Sequence, residues 1–472
     1  MPRTTLYWIR RDFRLGDNAA LAEALDEGGP VIPVFILDEV AEEYGAAPKW
    51  RLHQAIAAFA EALEEKGSRL ILRRGKALEA LTGLVGDTGA ERIVWGRQYD
   101  RAGKARDTDV KSTLKDRGIE AISVRNHLLF EPWSIETKSG GPYKVYTPFK
   151  DTCFDLADFG EPLDLPSRIP APDRWPESDT LEDWELEAPM DRGGAVVAQY
   201  ANVGEGAARG RLGAFMKKVA DYDDNRNLPA TNGTSDLSEN LAWGEISPLT
   251  IWAAVMERHD LRNPGAKTFL QEIVWREFAY HLLHHFPDIE DENWRDGWDA
   301  FPWRDDNDDA EAWRRGMTGL PFVDAAMREL YTTGRMHNRL RMLTASVLTK
   351  HLVTDWRIGE RWFRHTLIDW DVASNAMGWQ WVAGSGPDAT PFFRIFNPET
   401  QRDKFDPSGE YVGRWIAEKA DGKPGKDALN FFDAVPLSWD LSSDQAYPEP
   451  IVGLKEGREK ALDAYEAVKK AS

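Results

Sequence analysis

Leu6–Leu37, LYWIRRDFRLGDNAALAEALDEGGPVIPVFIL, begins and ends on short apolar runs, Leu6–Ile9 and Val31–Leu37, with a charged stretch between them. Runs this short and this apolar suit strands buried on both faces of a parallel sheet. Similar runs recur at Leu70–Leu72, Ile93–Trp95 and Ile122–Val124, and helix-period segments such as Trp50–Lys66 and Lys104–Asp116 separate them. Strands alternating with helices predict a doubly wound, parallel-sheet α/β domain over residues 1–131. That domain carries neither a GxGxxG fingerprint nor a P-loop pattern.

Beyond Glu131 the alternation dissolves. Repeated prolines (Pro162, Pro166, Pro170, Pro172, Pro176) predict a long connector, residues 132–206, lying over other structure. From 207 to 472 the apolar period is helical with few strand signals, which predicts an all-α second domain. A length of 472 residues allows two or three domains with ample core.

Composition narrows the function classes. The chain has 20 tryptophans, most of them after residue 240. Its single cysteine, Cys153, excludes a disulfide framework, a zinc–thiolate site and a protein-ligated iron–sulfur cluster, all of which take several thiolates. A reduced, cytoplasmic setting and a monomer are expected. The N-terminal MPRTTLYWIRRDFRL does not read as a signal peptide, and no stretch approaches the ~20 apolar residues of a membrane span. A net charge of −20 speaks against a wholly basic nucleic-acid binder, but DNA binding needs only a local basic patch. The acidic runs, such as DIEDENW at 288–294, read as solvated faces.

Four segments carry chemistry. Ile368–Pro398 brings Asp369, Asp371, Asn375, Trp379 and Trp381 close together and is followed by Arg394. A helix can hold such groups on a shared face, which suits a planar, polar-edged ring. Tyr222–Ser238, YDDNRNLPATNGTSDLS, ends in a turn with the hydroxyls of Thr234, Ser235 and Ser238, suited to holding a phosphate or simply to capping a helix. Gln271–Tyr280 sets Glu272, Trp275 and Arg276 along one helical face, either for a flat polar ligand or as a half-buried helix with a Glu272–Arg276 pair. Gly334–Met342 groups Asn338, Arg341 and Met342, with Arg339 turned elsewhere. A buried Arg341 needs a carboxylate, and Asp369 is its natural partner.

Taken together, these segments resemble the photolyase/cryptochrome family, and within it the class I cyclobutane pyrimidine dimer photolyases. The resemblance runs from WIRRDFRLGDN through YKVYTPF, NGTSDLS, WREFAYHLL, GLPFVDAAMREL, MHNRLRM, FRIFNP and KFDPSGEY. It implies an antenna-binding α/β domain and a helical domain holding FAD, active as FADH⁻. By resemblance, Tyr222, Thr234, Ser235, Asp236, Leu237 and Ser238 line the FAD phosphates and ribityl chain. Phe269, Arg276, Asn338, Arg341, Asp369, Trp370, Asp371 and Asn375 complete that site, with Asn375 facing flavin N5. The implied reaction is light-driven electron transfer to a pyrimidine dimer flipped out of UV-damaged DNA, catalysed with Glu272, Asn338 and Asn375. Trp275, Met342 and Trp381 would hold the dimer beside Glu272 and Asn338. Arg226, Arg339, Arg394, Gln401 and Lys150 would meet DNA. Trp379, Trp356 and Trp303 match the family's tryptophan chain for flavin reduction.

Asn338, Met342 and Glu272 match the dimer-type pattern, whereas photolyases for the other main pyrimidine lesion carry histidine at the first two positions. Three residues depart from the usual family pattern: Trp370 stands for a glycine, and Ala376–Met377 for Asn-Gly. For the antenna, Arg10, Asp38, Arg51 and Asp100 suit a deazaflavin better than folate, because the region's folate-holding acid is Gly103 here; an empty site is the remaining reading. His281, His284 and His285 share helical spacing but lack a supporting metal motif, so no metal is expected. The competing functions are a cryptochrome-type photoreceptor and a flavin redox protein without DNA.

Overall fold

The computed structural model describes residues 3–389, 391–392, 394–419 and 422–471. Five parallel strands, β1 (Thr5–Ile9), β2 (Val31–Leu37), β3 (Ile71–Arg74), β4 (Arg92–Gly96) and β5 (Glu120–Val124), form one sheet in the order β3-β2-β1-β4-β5. Thr5 aligns with Val31 on one side and with Arg92 on the other, so β1 is the central strand. All residues of β1, β2 and β4 are buried. Side chains alternate between two cores, as period-two geometry requires. Leu6, Trp8, Ile32, Val34 and Trp95 fill one face, and Tyr7, Ile9, Val31 and Phe35 fill the other. Helices α1 (Ala19–Leu25), α2 (Ala46–Glu64), α3 (Ala77–Thr88) and α4 (Arg101–Asp116) follow strands β1 to β4 in turn. The strand order reverses beside β1, which places a crevice at the carboxyl ends of the strands.

The proline-rich stretch after β5 lies over other structure and sends side chains into it. Ile169, Leu181, Trp184 and Leu186 enter the sheet core. It also holds a helix, α5 (Tyr146–Asp155), whose Tyr146, Phe149 and Cys153 are buried at helical spacing.

The remainder is helical. The longest element is α6 (Pro264–His285), started by Pro264 and capped by the Asn263 side chain, which accepts from the Ala266 amide at 2.8 Å. Helices α7 (Asn338–Ser346), α8 (Trp356–Thr366) and α9 (Val372–Ala383) follow, and α9 packs against α6, α7 and α8. Asp371 caps α9, accepting from the Ser374 amide at 2.8 Å, and Gly384 ends it at φ 92°. The two domains approach closely at Gly244, where an added Cβ would lie 2.1 Å from the Arg11 carbonyl oxygen. No described helix is long and apolar enough to cross a membrane.

Candidate active site

Tyr222 opens a short helix, Tyr222–Asn225, and its buried ring meets Phe269 of α6 at 5.4 Å and Phe215 at 5.6 Å. In the turn that follows, the Thr234 hydroxyl donates to Asp236 Oδ1 at 2.8 Å, and the Leu237 amide donates to Ser235 Oγ at 3.4 Å. Asp236 takes a left-handed φ of 55°, and its carbonyl accepts from Arg211 at 2.8 Å. Gly233 is close to Asn225, whose carbonyl oxygen would lie 2.7 Å from an added Cβ. Leu237 is buried, and Ser238 begins the helix Ser238–Ala242.

Facing this turn, Arg341 Nη2 donates to Asp369 Oδ2 at 2.7 Å, while its Nε donates to the Met336 carbonyl at 2.8 Å. The expected Arg341–Asp369 pair is therefore present. Asp369 Oδ1 is buried with no hydrogen-bond partner. A buried acceptor left open in this way is costly unless a ligand donor fills it. Two residues on, Asp371 Oδ2 accepts from the Tyr280 hydroxyl of α6. Arg276, one turn back, donates through Nη1 to the His127 carbonyl at 2.9 Å and contacts the His127 ring with Nη2. The buried Asn375 amide donates to Glu360 Oε1 at 2.9 Å, and burial raises the Glu360 pKa to about 7. Hydroxyls, a cation–carboxylate pair, an orphaned carboxylate oxygen and buried aromatic walls fit a flavin with a phosphate tail.

On the neighbouring face, Glu272 pairs with Arg226 at 2.7 Å rather than with Arg276. Burial raises the Glu272 pKa, more than Arg226 lowers it. Trp275 is stacked on Tyr146 of α5, with ring centroids 3.4 Å apart and planes 10° off parallel. One indole face is thus occupied. Asn338, the first residue of α7, is exposed, and Met342 and Trp381 are partly buried against the helical core. Arg339 turns away to donate to Asn227 Oδ1 at 2.6 Å and lies over Phe405. Arg394 is exposed, with its carbonyl held by the buried Lys350 ammonium at 3.0 Å. Gln401 lies on the helix Pro398–Phe405, and Lys150 pairs with Asp151 at 3.0 Å.

Trp379 is 2% exposed and meets Phe363 at 4.9 Å and Trp313 at 6.1 Å. Trp356 is buried and donates to Asn293 Oδ1 at 3.0 Å. Trp303 is partly buried beside Phe301, at 4.2 Å, and Trp298, at 6.2 Å.

Known proteins match over the whole length of this chain. Residues 5–171 match the DNA photolyase family, and residues 269–467 match the FAD binding domain of DNA photolyase. A deoxyribodipyrimidine photo-lyase of Agrobacterium fabrum is 46% identical, with 99% of this chain and 98% of that protein covered. The chain belongs to the photolyase/cryptochrome family. A crystal structure of a bacterial class III photolyase from Agrobacterium tumefaciens superposes with a TM-score of 0.92 at 46% identity, covering 100% of this chain and 98% of that one. Cryptochrome-2 of Arabidopsis thaliana is 34% identical, with 89% of this chain and 71% of that protein covered. The class I expectation is not supported by these matches, since the superposed bacterial photolyase is of class III.

As a member of this family the chain carries an FAD-binding domain, and two of the sequence expectations need relocating within it. Trp370, which stands for the usual glycine, is turned towards the α/β domain. Its buried ring meets Tyr44 of the α/β domain at 5.7 Å and lies near the guanidinium groups of Arg11 and Arg364, at 5.1 and 5.5 Å. Arg51 is not among the residues lining the crevice at the carboxyl ends of the strands. It is fully buried and paired with Glu245 at 2.6 Å, an inter-domain contact invisible to local spacing. Arg10, Asp38 and Asp100 do line a cleft at the carboxyl ends of the strands, together with Gln98, Gly103 and Arg106. Asp38 pairs with Arg106 at 2.7 Å, and Asp107 pairs with Arg106 at 2.8 Å and Arg10 at 3.2 Å. A chromophore entering that cleft has to displace part of this network.

Sequence reasoning missed Tyr146, Tyr280, His127 and Glu360. Tyr280 sits four residues after Arg276, so helical spacing pointed to it. His281 and His285 are engaged by the backbone, both through the Pro132 carbonyl and His281 also through the Tyr143 amide.

Proposed function

We propose that this chain is a class III photolyase that repairs cyclobutane pyrimidine dimers in UV-damaged DNA. The observation carrying this reading is that α6 presents Glu272 and Trp275 beside Arg276, which puts dimer-type groups next to flavin-type groups on one helix. FAD held there would supply, in its reduced form, the light-driven one-electron chemistry that dimer splitting needs. The Arg341–Asp369 pair and Asp371 would hold the isoalloxazine ring, the Tyr222–Ser238 segment would take the phosphate end, and Asn375 would offer the ring a neutral amide, which is not a proton donor in the acid–base sense. Glu272 would hydrogen-bond the dimer from the lesion-facing side of α6. Arg226 holds that carboxyl in place.

Photolyases act on damaged bases taken out of the stack, at a cost of a few kcal/mol that is smaller for damaged than for intact bases. Stacking on the free face of Trp275 and on Trp381, at about 1–3 kcal/mol per base, offsets that cost. Arg226, Arg339, Arg394, Gln401 and Lys150 contact the strand, so binding weakens with added salt despite the acidic total. Trp379, Trp356 and Trp303 return electrons to oxidised flavin. The antenna cleft takes a deazaflavin or stays empty, and the division at 131 and 206 separates antenna domain, connector and FAD domain. The chain acts as a cytoplasmic monomer.

The deciding experiment reduces the FAD-loaded protein, adds dimer-containing single-stranded DNA and illuminates it with blue to near-UV light. Thymine absorbance should recover. No recovery with FAD bound and reduced rejects repair and favours the photoreceptor reading, which the similarity to Cryptochrome-2 supports.

A further inference from the structure

Asp371 sits at the end of a buried chain of polar groups drawn from both domains. Its Oδ1 is fixed by the Ser374 amide at 2.8 Å, and its Oδ2 accepts from the Tyr280 hydroxyl. The same hydroxyl lies 2.9 Å from His127 Nε2, and the two rings meet edge-on at 5.2 Å. His127 follows β5 and is gripped by Arg276 through its carbonyl and ring. Burial, reinforced by the Asp371 charge, pushes the Tyr280 pKa up, and burial with Arg276 and Arg11 pushes the His127 pKa down, so both are neutral at physiological pH. Arg11, which follows β1, donates to the Trp370 carbonyl at 3.1 Å, and its Nη2 is buried without a hydrogen-bond partner. The α/β domain thus touches the acid's hydroxyl partner through His127 and the backbone beside the acid through Arg11.

We infer that Tyr280 and His127 are positioning residues for Asp371, and that through them the α/β domain sets the redox midpoint of bound flavin. This rests on the proposed placement of Asp371 against the flavin ring. The phenol spreads the carboxylate's charge without neutralising it. Removing that donor concentrates negative charge beside the ring and disfavours the anionic reduced flavin.

The test is an anaerobic dye-equilibration titration of FAD-loaded Tyr280→Phe without DNA. At a fixed poise the oxidised-to-reduced ratio should rise about tenfold, roughly 30 mV for a two-electron couple, with FAD content unchanged. His127→Leu should move the midpoint the same way, and His127→Gln, which keeps polar atoms, should restore it. A wild-type midpoint in FAD-loaded Tyr280→Phe overturns the inference. If that variant does not fold, equal midpoints in the two His127 variants overturn it instead. Repair is scored separately, so a wild-type protein that binds FAD but repairs nothing defeats the proposed function and leaves this measurement intact.

Discussion

Replacing Tyr146 by leucine should weaken recognition of a dimer without weakening binding to undamaged DNA. Tyr146 lies flat on Trp275 at 3.4 Å, its hydroxyl donates to the Gln271 carbonyl at 2.8 Å, and its amide donates to Asp388 at 3.2 Å. These contacts clamp the indole that is proposed to stack on the lesion. An aromatic pair contributes about 0.5–1.5 kcal/mol beyond its area. Immobilising a side chain that is free before binding costs about 0.5–1.5 kcal/mol. Only part of the first quantity reaches the bound state, so the net loss on binding is about 1–2 kcal/mol, or roughly five- to thirty-fold in Kd at about 1.4 kcal/mol per decade.

The assay is fluorescence anisotropy in the dark with paired oligonucleotides, one carrying a dimer and one undamaged. Tyr146→Phe separates the stack from the hydroxyl, since it keeps the ring and loses only the hydrogen bond. It should change the damaged-to-undamaged ratio by less than about threefold, within the ~0.5 kcal/mol expected of a modest contact. If the leucine variant keeps the wild-type ratio, or loses equally on both oligonucleotides, Tyr146 does not position Trp275 for the lesion.

Glu272→Ala should lower the quantum yield of repair while leaving FAD bound, as read by flavin absorbance and by thymine recovery per absorbed photon; full yield would remove Glu272 from the dimer. Trp379→Phe should block photoreduction of oxidised flavin yet spare repair by chemically reduced protein, and loss of that repair would contradict its electron-transfer role. Glu277, buried and accepting from the amides of Leu129 and Phe130 at 3.0 and 3.1 Å, has its pKa raised by burial to about 7. A raised carboxyl binds its proton more tightly in the folded state, so stability is greatest below the unfolded value near 4.3 and falls as pH rises towards 7. Urea midpoints should therefore drop between pH 5 and pH 8, and Glu277→Gln should flatten that drop; an unchanged slope would refute the assignment.

Local patterns were legible, and distant pairings were not. The five apolar runs fall on the five strands because buried parallel strands must be apolar on both faces. Arg341 and Asp369 could be matched because a carboxylate as buried as Asp369 needs a cation, and the half-buried Arg341 supplies it. Arg51 misled because its partner, Glu245, lies in the other domain, and no spacing rule connects them. Trp370 was read by its neighbours in sequence, whereas its ring is placed by Tyr44, Arg11 and Arg364. The helix bearing Tyr146 was hidden by the prolines after it, although Tyr146, Phe149 and Cys153 already showed a helical stripe.

On the proposed function, helix α6 would hold lesion and flavin at a fixed separation. At about 100° per residue, Phe269, Arg276 and Tyr280 fall within a stripe about 40° wide, whereas Glu272 lies about 60° and Trp275 about 120° round the same side. Phe269 and Arg276, read as flavin-facing, thus share one stripe with Tyr280, and the groups read as lesion-facing step away from it around the helix. The stripe from Phe269 to Tyr280 spans about 16 Å at about 1.5 Å per residue. Electron donation from a flavin to a dimer depends on their separation, and groups mounted on one hydrogen-bonded helix cannot drift apart as groups on two loops can. The packing of α6 against α5 and α9 adds the remaining constraint, since α5 supplies Tyr146 behind Trp275 and α9 begins at Asp371. On the proposed function the segment bearing α5 would be part of the catalytic scaffold, and cutting the chain between α/β and helical domains should cost repair activity even if both halves fold.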